Sequence, residues 1–147
     1  MYKSILIVCT ANVCRSPLAE ALFKKHLPNL TIASAGTHVH ALQFTGHPAN
    51  THSELIAVEH GLSIESHQAQ QYNQALAEKY DLVLSMSPEI TEEISKITPQ
   101  FRSKTILIGQ WIGQSSIQDP YRKEYHHFKQ CYTSLSFSAQ SWAAKLN

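Results

Sequence analysis

Short apolar runs alternate with longer amphipathic segments along the whole chain. Runs rich in aliphatic and β-branched residues are typical of buried strands, and they lie at residues 3–8, 30–35, 81–86 and 104–109. Helical spacing of apolar residues, together with residues that start or stop helices, predicts helices at 17–27, 48–60, 73–79, 88–97 and 124–146. Residues 37–47 have no period and predict a surface loop.

This alternation predicts one α/β domain over residues 1–147, in which helices cover both faces of a four-stranded parallel sheet. The length suits a single hydrophobic core, and no repeat or linker divides the chain. We expect three layers and the strand order 2-1-3-4. Parallel sheets bind ligands beyond the carboxyl ends of their strands, so residues at those ends are candidates for a site.

The loop after the first strand connects a cysteine to an arginine and a helix start. Cys9 ends the strand, and Arg15 follows six positions later. Ser16 fits the N-cap of the next helix, and Pro17 fits its first position, where a missing N–H has no cost. Free backbone N–H groups, the positive helix end and the Arg15 fork can together bind a phosphate. The sequence therefore predicts a phosphate-binding loop after strand 1.

Cys9 is the candidate nucleophile of this loop. The positive field of the helix end and of Arg15 favours the thiolate, which is the reactive form of cysteine. A thiolate beneath a bound phosphate can attack phosphorus in line and form a covalent cysteinyl-phosphate. Ser16 can donate a hydrogen bond to the sulfur. The alternative is a buried structural cysteine, a common role for a cysteine at a strand end.

Asp119 is the candidate proton donor. An aryl oxygen leaves poorly unless it is protonated, because its alcohol has a pKa of about 10. Asp119 lies in the loop after the fourth strand, and Pro120 restricts its backbone towards an extended conformation. The alternative interpretation of this Asp-Pro pair is an ordinary turn.

Composition narrows the class of protein. Hydrophobic residues make up 43% of the chain and charged residues 16%, as in folded globular proteins, and the net charge is +1. A charge this balanced gives no sign of a nucleic-acid or membrane-surface binder. The first apolar run is too short for a signal peptide or a membrane span, so we expect a cytoplasmic protein.

The cysteines and histidines add two expectations. Three cysteines cannot all pair within one chain, which fits a reducing compartment. The nine histidines include the pairs His38/His40 and His126/His127, but neither pair has a zinc-binding spacing. We therefore expect no metal and no cofactor.

Six short motifs are distributed over nearly the whole chain. The most specific are the CX5RSP loop at 9–17 and DPYRK at 119–123. Supporting motifs are SAGT at 34–37, EHG at 59–61, HQAQQ at 67–71 and YDLVLSM at 80–86. Together they resemble the low-molecular-weight protein tyrosine phosphatases. The likeness is greatest to the bacterial branch encoded with capsule or exopolysaccharide export systems.

This resemblance implies a role for each matching residue. Cys9 would be the nucleophile, Arg15 the phosphate clamp, and Asp119 first the general acid and then the base. The residues that would bind the phosphate are Thr10, Ala11, Asn12, Val13, Cys14, Arg15 and Ser16.

The resemblance also implies roles in support of the loop. Asn12 would hold a left-handed turn, which asparagine tolerates better than most residues. Ser16 and His67 would join the hydrogen-bond network around it, although an ordinary interior histidine is the alternative for His67. Cys14 would form a reversible disulfide with Cys9, or simply pack.

Tyr121 would form one wall of the substrate cleft, with an ordinary half-buried aromatic as the alternative. The opposite wall falls in the 37–47 loop, where Leu42 or Phe44 could serve.

Four residues depart from the pattern of many relatives, which have glycine at Ala11, aspartate at Asn50, arginine at Gln70 and a second tyrosine at Arg122. We expect altered contacts at these positions. A cationic Arg122 suits an acidic or multiply phosphorylated substrate, and a solvated charge explains it equally well.

The function implied is a metal-free, monomeric phosphotyrosine phosphatase whose substrate is a membrane-anchored bacterial tyrosine kinase. Two alternatives stay open. An arsenate reductase on a similar loop would need further cysteines, but residues 76–90 contain none and Cys131 lies on a distant helix, where we expect it to be buried. A phosphotyrosine-binding module without activity would lack a reactive group, but Cys9, Arg15 and Asp119 are all present.

Overall fold

A four-stranded parallel sheet forms the centre of the protein. The computed structural model describes residues 1–147. The strands are β1 (Ser4–Cys9), β2 (Thr31–Gly36), β3 (Leu82–Ser85) and β4 (Thr105–Leu107). Their order in the sheet is β2-β1-β3-β4, and all three pairings are parallel. The predicted α/β architecture and strand order are confirmed.

Five helices and two short 3-10 helices surround this sheet. The helices are α1 (Arg15–His26), α2 (Thr51–Glu59), α3 (Gln74–Ala77), α4 (Pro88–Ile97) and α5 (Tyr125–Leu146). The 3-10 helices are Pro99–Lys104 and Gln110–Ile112, which the sequence pattern did not predict. No helix combines the length and the apolar character that crossing a membrane requires.

The two central strands are covered on both faces. Every residue of β1 and of β3 is buried, and successive side chains of a strand point to opposite faces. α1, α2 and α5 pack against one another, whereas α4 packs against β3, β4 and the first 3-10 helix. These two groups of helices therefore form the outer layers that the apolar runs predicted.

The start of α1 differs from the prediction. The helix begins at Arg15 with Cys14 at its cap, so Ser16 lies inside the first turn and does not cap it. Pro17 is tolerated there because the N–H groups of a first turn have no intrahelical partner. The Ser16 hydroxyl is consequently free to contact Cys9, at 2.9 Å from its sulfur.

The start of α2 also lies later than predicted, at Thr51 and not at Pro48. Asn50 explains the difference because its side chain accepts a hydrogen bond from the His52 N–H at 2.9 Å and caps the helix. The Asn50 N–H donates to the Val13 carbonyl at 2.8 Å, so this cap is joined to the loop after β1.

The ends of β1 and β2 meet where the candidate residues lie. Cys9 pairs with Gly36 across the sheet. A Cβ atom at Gly36 would be 2.4 Å from the Thr10 carbonyl oxygen and 2.7 Å from Val39. Only glycine therefore lets the end of β2 approach the loop after β1 this closely.

Candidate active site

A cavity of about 480 Å³ opens at the carboxyl end of β1. It is lined by residues 9–15 of the loop and by Leu42, Phe44, Asp119, Tyr121 and Arg122. Residues from three distant parts of the sequence thus meet beyond the carboxyl end of the parallel sheet, where ligands bind in folds of this kind. Two predicted residues, Ser16 and His67, do not line the cavity and lie behind the loop.

Cys9 lies deep in this cavity with 2% of its surface exposed. Its Sγ accepts a hydrogen bond from the Asn12 N–H at 3.2 Å and lies 2.9 Å from the Ser16 hydroxyl. The positive N-terminal end of α1 begins at Arg15, close by in the chain. The sulfur thus lies next to a backbone donor, a hydroxyl group and the N-terminal end of a helix.

The loop backbone offers free donors to an anion. The N–H groups of residues 10, 11, 13 and 14 donate to no other backbone group of the protein. These residues all line the cavity. Free N–H groups beside a helix N-terminus are typical of phosphate-binding loops.

Arg15 is held in place by contacts outside its own loop. The side chain is 7% exposed, and its Nη1 donates to the Ile117 carbonyl at 2.8 Å. Nη2 donates to the Thr10 hydroxyl at 3.3 Å and lies 3.7 Å from the Asp119 carboxylate. The guanidinium is therefore fixed at the cavity wall, and its remaining N–H groups can bind an anion.

Asn12 organises the loop from behind. It has a left-handed backbone with φ of 59° and is fully buried. Its Nδ2 donates to the Ser16 hydroxyl at 2.6 Å and to the Ser34 hydroxyl at 3.0 Å. Its Oδ1 accepts from the Gln70 N–H at 3.0 Å. Both polar atoms of this side chain are thus hydrogen-bonded, and their partners lie in α1, in β2 and in the segment that contains Gln70.

His67 supports the same turn. Its Nε2 lies 2.6 Å from the Asn12 carbonyl oxygen. A carbonyl can only accept, so His67 must carry its proton on Nε2. Gln70, at one of the positions where we expect altered contacts, donates from Nε2 to the Ser34 carbonyl at 2.9 Å. Gln70 therefore joins this segment to β2.

Sequence reasoning missed Glu20 and the Ile117 carbonyl. Glu20 accepts a hydrogen bond from the Ser34 hydroxyl at 2.6 Å and pairs with Lys24 at 2.6 Å. It thereby extends the network from Cys9 to the surface. The available signal was spacing, because Ser16, Glu20 and Lys24 lie four residues apart on one face of α1. No side-chain pattern reveals a main-chain acceptor such as Ile117.

Aromatic side chains form the rim of the cavity. Tyr121 is 36% exposed and meets Phe44 edge to face at 6.1 Å between ring centroids. Leu42 is 50% exposed and also lines the cavity. Like Phe44, it belongs to the 37–47 loop. Both loop candidates thus contribute to the cavity. The Tyr121 N–H donates to the Asp119 Oδ1 at 3.0 Å, which holds Asp119 in the turn.

All three cysteines are free and buried. Burial raises the pKa of the Cys14 thiol well above its ordinary value, and the Asp119 charge adds to this effect. Burial also raises the pKa of Cys131 to about 12, partly opposed by Arg15. Cys131 is less distant than its sequence position indicated, because α5 packs on α1 and brings it within the electrostatic influence of Cys9, Arg15 and Asp119.

Comparison with known proteins identifies similar chains. A family model described as "Low molecular weight phosphotyrosine protein phosphatase" matches residues 4–147. The protein named low molecular weight protein-tyrosine-phosphatase Etp, from Escherichia coli K12, is 40% identical over 146 residues, covering 99% of this chain and 96% of its own length. The one named Wzb, from Salmonella typhi, is 42% identical over 147 residues, covering 100% and 96%.

Two solved structures have the same fold. Vibrio vulnificus Wzb in complex with benzylphosphonate superposes with a TM-score of 0.97 at 42% identity, covering 99% of this chain and 100% of that one. Wzb from Escherichia coli K30 in complex with sulphate superposes with a TM-score of 0.95 at 38% identity, covering 100% of both chains.

The thiol environments predict selective alkylation. At neutral pH, iodoacetate should modify Cys9 alone in the folded protein, because the raised pKa values keep Cys14 and Cys131 protonated and unreactive. Peptide mass mapping after labelling measures this, and inorganic phosphate should slow the reaction. Cys9→Ser protein should incorporate no label until it is unfolded in denaturant. Labelling of Cys14 or Cys131 in folded protein as fast as Cys9 would contradict the assignment.

Proposed function

We propose that this chain, which belongs to the low molecular weight phosphotyrosine protein phosphatase family, hydrolyses phosphotyrosine on proteins through a cysteinyl-phosphate intermediate. Family membership follows from the match over residues 4–147 and makes the chain a protein-tyrosine-phosphatase, as its motifs predicted. The observation that carries the mechanism is the placement of Cys9, Arg15 and Asp119 around one cavity.

The first step transfers the phosphoryl group to the protein. The loop N–H groups and Arg15 bind the phosphate oxygens and neutralise their charge, so no metal is needed. The Cys9 thiolate attacks phosphorus, an S–P bond forms, and the P–O bond to the tyrosine oxygen breaks. Asp119 gives its proton to that oxygen as it leaves.

The second step hydrolyses the intermediate and regenerates the free Cys9 thiolate. Asp119, now a carboxylate, takes a proton from a water molecule whose oxygen attacks phosphorus. The S–P bond breaks, and inorganic phosphate and the Cys9 thiolate are released. The Ser16 hydroxyl, 2.9 Å from the sulfur, stabilises the thiolate as it leaves.

The shape of the cavity supports an aryl phosphate as substrate. Cys9 lies at its buried end, whereas Tyr121, Phe44 and Leu42 lie at its rim. An aromatic ring between these side chains would bring its phosphate to the loop. A shorter phosphorylated serine side chain would leave these rim contacts unused.

Two alternative functions receive less support from the site. An arsenate reductase passes electrons between cysteines, but residues 76–90 contain none and Cys131 is 5% exposed with a pKa of about 12. A non-catalytic phosphotyrosine-binding module does not require Asp119 at 3.7 Å from Arg15. Arsenate-dependent thiol consumption would revive the first alternative, and absence of turnover would revive the second.

We further propose a cytoplasmic monomer that dephosphorylates a membrane-anchored bacterial tyrosine kinase and so controls exopolysaccharide or capsule production. This proposal is supported by the likeness of the full chain to the bacterial phosphatases described above. If this proposal is wrong, the catalytic proposal is unaffected.

Variants of the two reacting residues test the chemistry. We expect hydrolysis of p-nitrophenyl phosphate without added metal, with a bell-shaped pH profile in the acidic range, because a thiolate and a protonated carboxyl are required together. Cys9→Ser should abolish activity. Asp119→Ala should lower turnover of a phosphotyrosine peptide by about 10²- to 10⁴-fold. It should have a smaller effect on p-nitrophenyl phosphate, whose leaving group needs little protonation.

Steady-state kinetics of the three proteins over pH provide the measurement. Asp119→Ala should also remove the fall in activity on the alkaline side, since that limb reports loss of the acid. Activity that survives Cys9→Ser would exclude Cys9 as nucleophile. Equal losses on both substrates in Asp119→Ala would exclude its role as proton donor to the leaving group.

A substrate-trapping experiment tests the partner. Asp119→Ala should retain the phosphorylated cytoplasmic region of the kinase on a column, and vanadate should release it by occupying the loop. Arg15→Ala combined with Asp119→Ala should retain none, because the phosphate clamp is lost. Failure of Asp119→Ala to retain the phosphorylated kinase would remove the partner proposal and leave the enzymatic one intact.

A further inference from the structure

A second cavity adjoins the proposed active site. Its volume is about 370 Å³, and Asp119 is the one residue that lines both cavities. We call it the side groove, lined by residues 114, 116–120, 123, 127, 130, 131 and 134. It lies between the loop before α5 and the first turns of that helix.

The side groove is polar, unlike the aromatic rim of the catalytic cavity. Gln114, Ser116, Gln118 and Gln130 are exposed and present amide or hydroxyl groups to it. Such groups can donate to and accept from a peptide backbone or an anionic side chain. The lining therefore suits a segment of polypeptide better than an apolar ligand.

The side groove contains one cationic side chain, Lys123, that has no ion-pair partner in the protein. Lys123 and His127 line it, and neither forms an ion pair within the protein. Asp119 is the only acidic residue in the lining, and it is engaged by Arg15 at 3.7 Å and by the Tyr121 N–H at 3.0 Å. The nearby Glu124 does not line the groove and lies 3.6 Å from His126.

The N-terminus of α5 adds to this positive charge. The helix is 22 residues long, begins at Tyr125, and has no side-chain cap at Glu124. The His127 N–H donates to the Glu124 carbonyl at 3.0 Å, whereas the N–H groups of Tyr125 and His126 donate to no backbone carbonyl. A helix N-terminus favours nearby anions.

The two cavities are close enough for one substrate chain to occupy both. A polypeptide advances by about 3.3–3.6 Å per residue. A residue one or two positions from a phosphotyrosine bound at Cys9 can therefore pass Asp119. The volume of the side groove easily holds a carboxylate side chain or a second phosphate.

We propose that the side groove binds an anionic side chain next to the phosphotyrosine on the same substrate chain, with Lys123 as its main contact. This inference rests on the proposed phosphatase function and concerns its substrate class. The anion is a carboxylate or a phosphate, and Lys123, as a compact point charge, accepts either.

Peptide kinetics test the inference. Three phosphotyrosine peptides are compared. The neighbours of the phosphotyrosine are neutral in the first peptide and glutamates in the second, and the third peptide has a second phosphotyrosine next to the first. Wild-type protein should show a higher kcat/KM for one or both anionic peptides than for the neutral one. Lys123→Ala should reduce that ratio by about 1.4- to five-fold, the range of an exposed ion pair, and Lys123→Glu should reduce it further. The anionic peptide whose kcat/KM falls more in Lys123→Ala shows whether the groove prefers a carboxylate or a phosphate.

Lys129→Ala is the matched control, because Lys129 carries the same charge on α5 but does not line the groove. It should leave the ratio unchanged. In wild type, added salt should reduce the ratio, since exposed charges are screened. p-Nitrophenyl phosphate, which is too small to reach the groove, shows whether each variant keeps an intact catalytic cavity.

Three results would overturn the inference while turnover of p-nitrophenyl phosphate is intact: no preference for either anionic peptide, an equal loss on the neutral peptide in Lys123→Ala, or an equal effect of Lys129→Ala. Absence of turnover on every substrate would instead overturn the proposed function, and the side groove proposal with it.

Discussion

The site depends above all on the left-handed turn at Asn12. Its backbone has φ of 59°, a conformation that costs roughly 1–2 kcal/mol for most residues. The structure retains it because Ser16, Ser34, Gln70 and His67 all hydrogen-bond to this one buried residue. The turn directs the Asn12 N–H to the Cys9 sulfur. Three segments, namely α1, β2 and residues 67–71, thus fix the position of one donor.

The sheet explains why these segments meet. β1 and β2 are parallel neighbours, so the loop after β1 and the end of β2 lie side by side, with Gly36 allowing close contact to Thr10. β3 flanks β1 on the other side, and the chain returns to this edge at Ile117, whose carbonyl holds Arg15. A stable parallel sheet therefore provides the fixed frame, and the loops at its carboxyl edge carry the chemistry.

Much of this arrangement could be predicted from local sequence. The buried strands and α4 follow directly from apolar runs and from Ser87-Pro88, which starts the helix where expected. Cys9, Arg15 and Asp119 could be singled out because their side chains have strong chemical identities. A serine before a proline predicts a helix cap at Ser16, which is wrong because Cys14 holds that position, whereas the predicted contact of its hydroxyl with the Cys9 sulfur is present at 2.9 Å.

What could not be predicted depends on contacts between distant parts of the chain. The Ile117 carbonyl belongs to the backbone and has no residue signature, although it fixes Arg15. The spacing of Glu20 from Ser16 and Lys24 marks only a shared face of α1, and its hydrogen bond with Ser34 depends on the position of β2. Cys131 lies far from Cys9 in sequence, and only the packing of α5 on α1 reveals their proximity.

The most direct test of the central claim is the mass of the trapped intermediate. Asp119→Ala protein mixed with p-nitrophenyl phosphate should form the intermediate readily, because this leaving group needs little protonation, but hydrolyse it slowly without the base. Denaturation at alkaline pH, where an S–P bond is stable, followed by peptide mass mapping under non-acidic conditions, should then find one phosphoryl group on the peptide that contains Cys9, and none in a protein that also carries Cys9→Ser. Release of a full equivalent of nitrophenolate with no phosphoryl group on Cys9 would contradict the account.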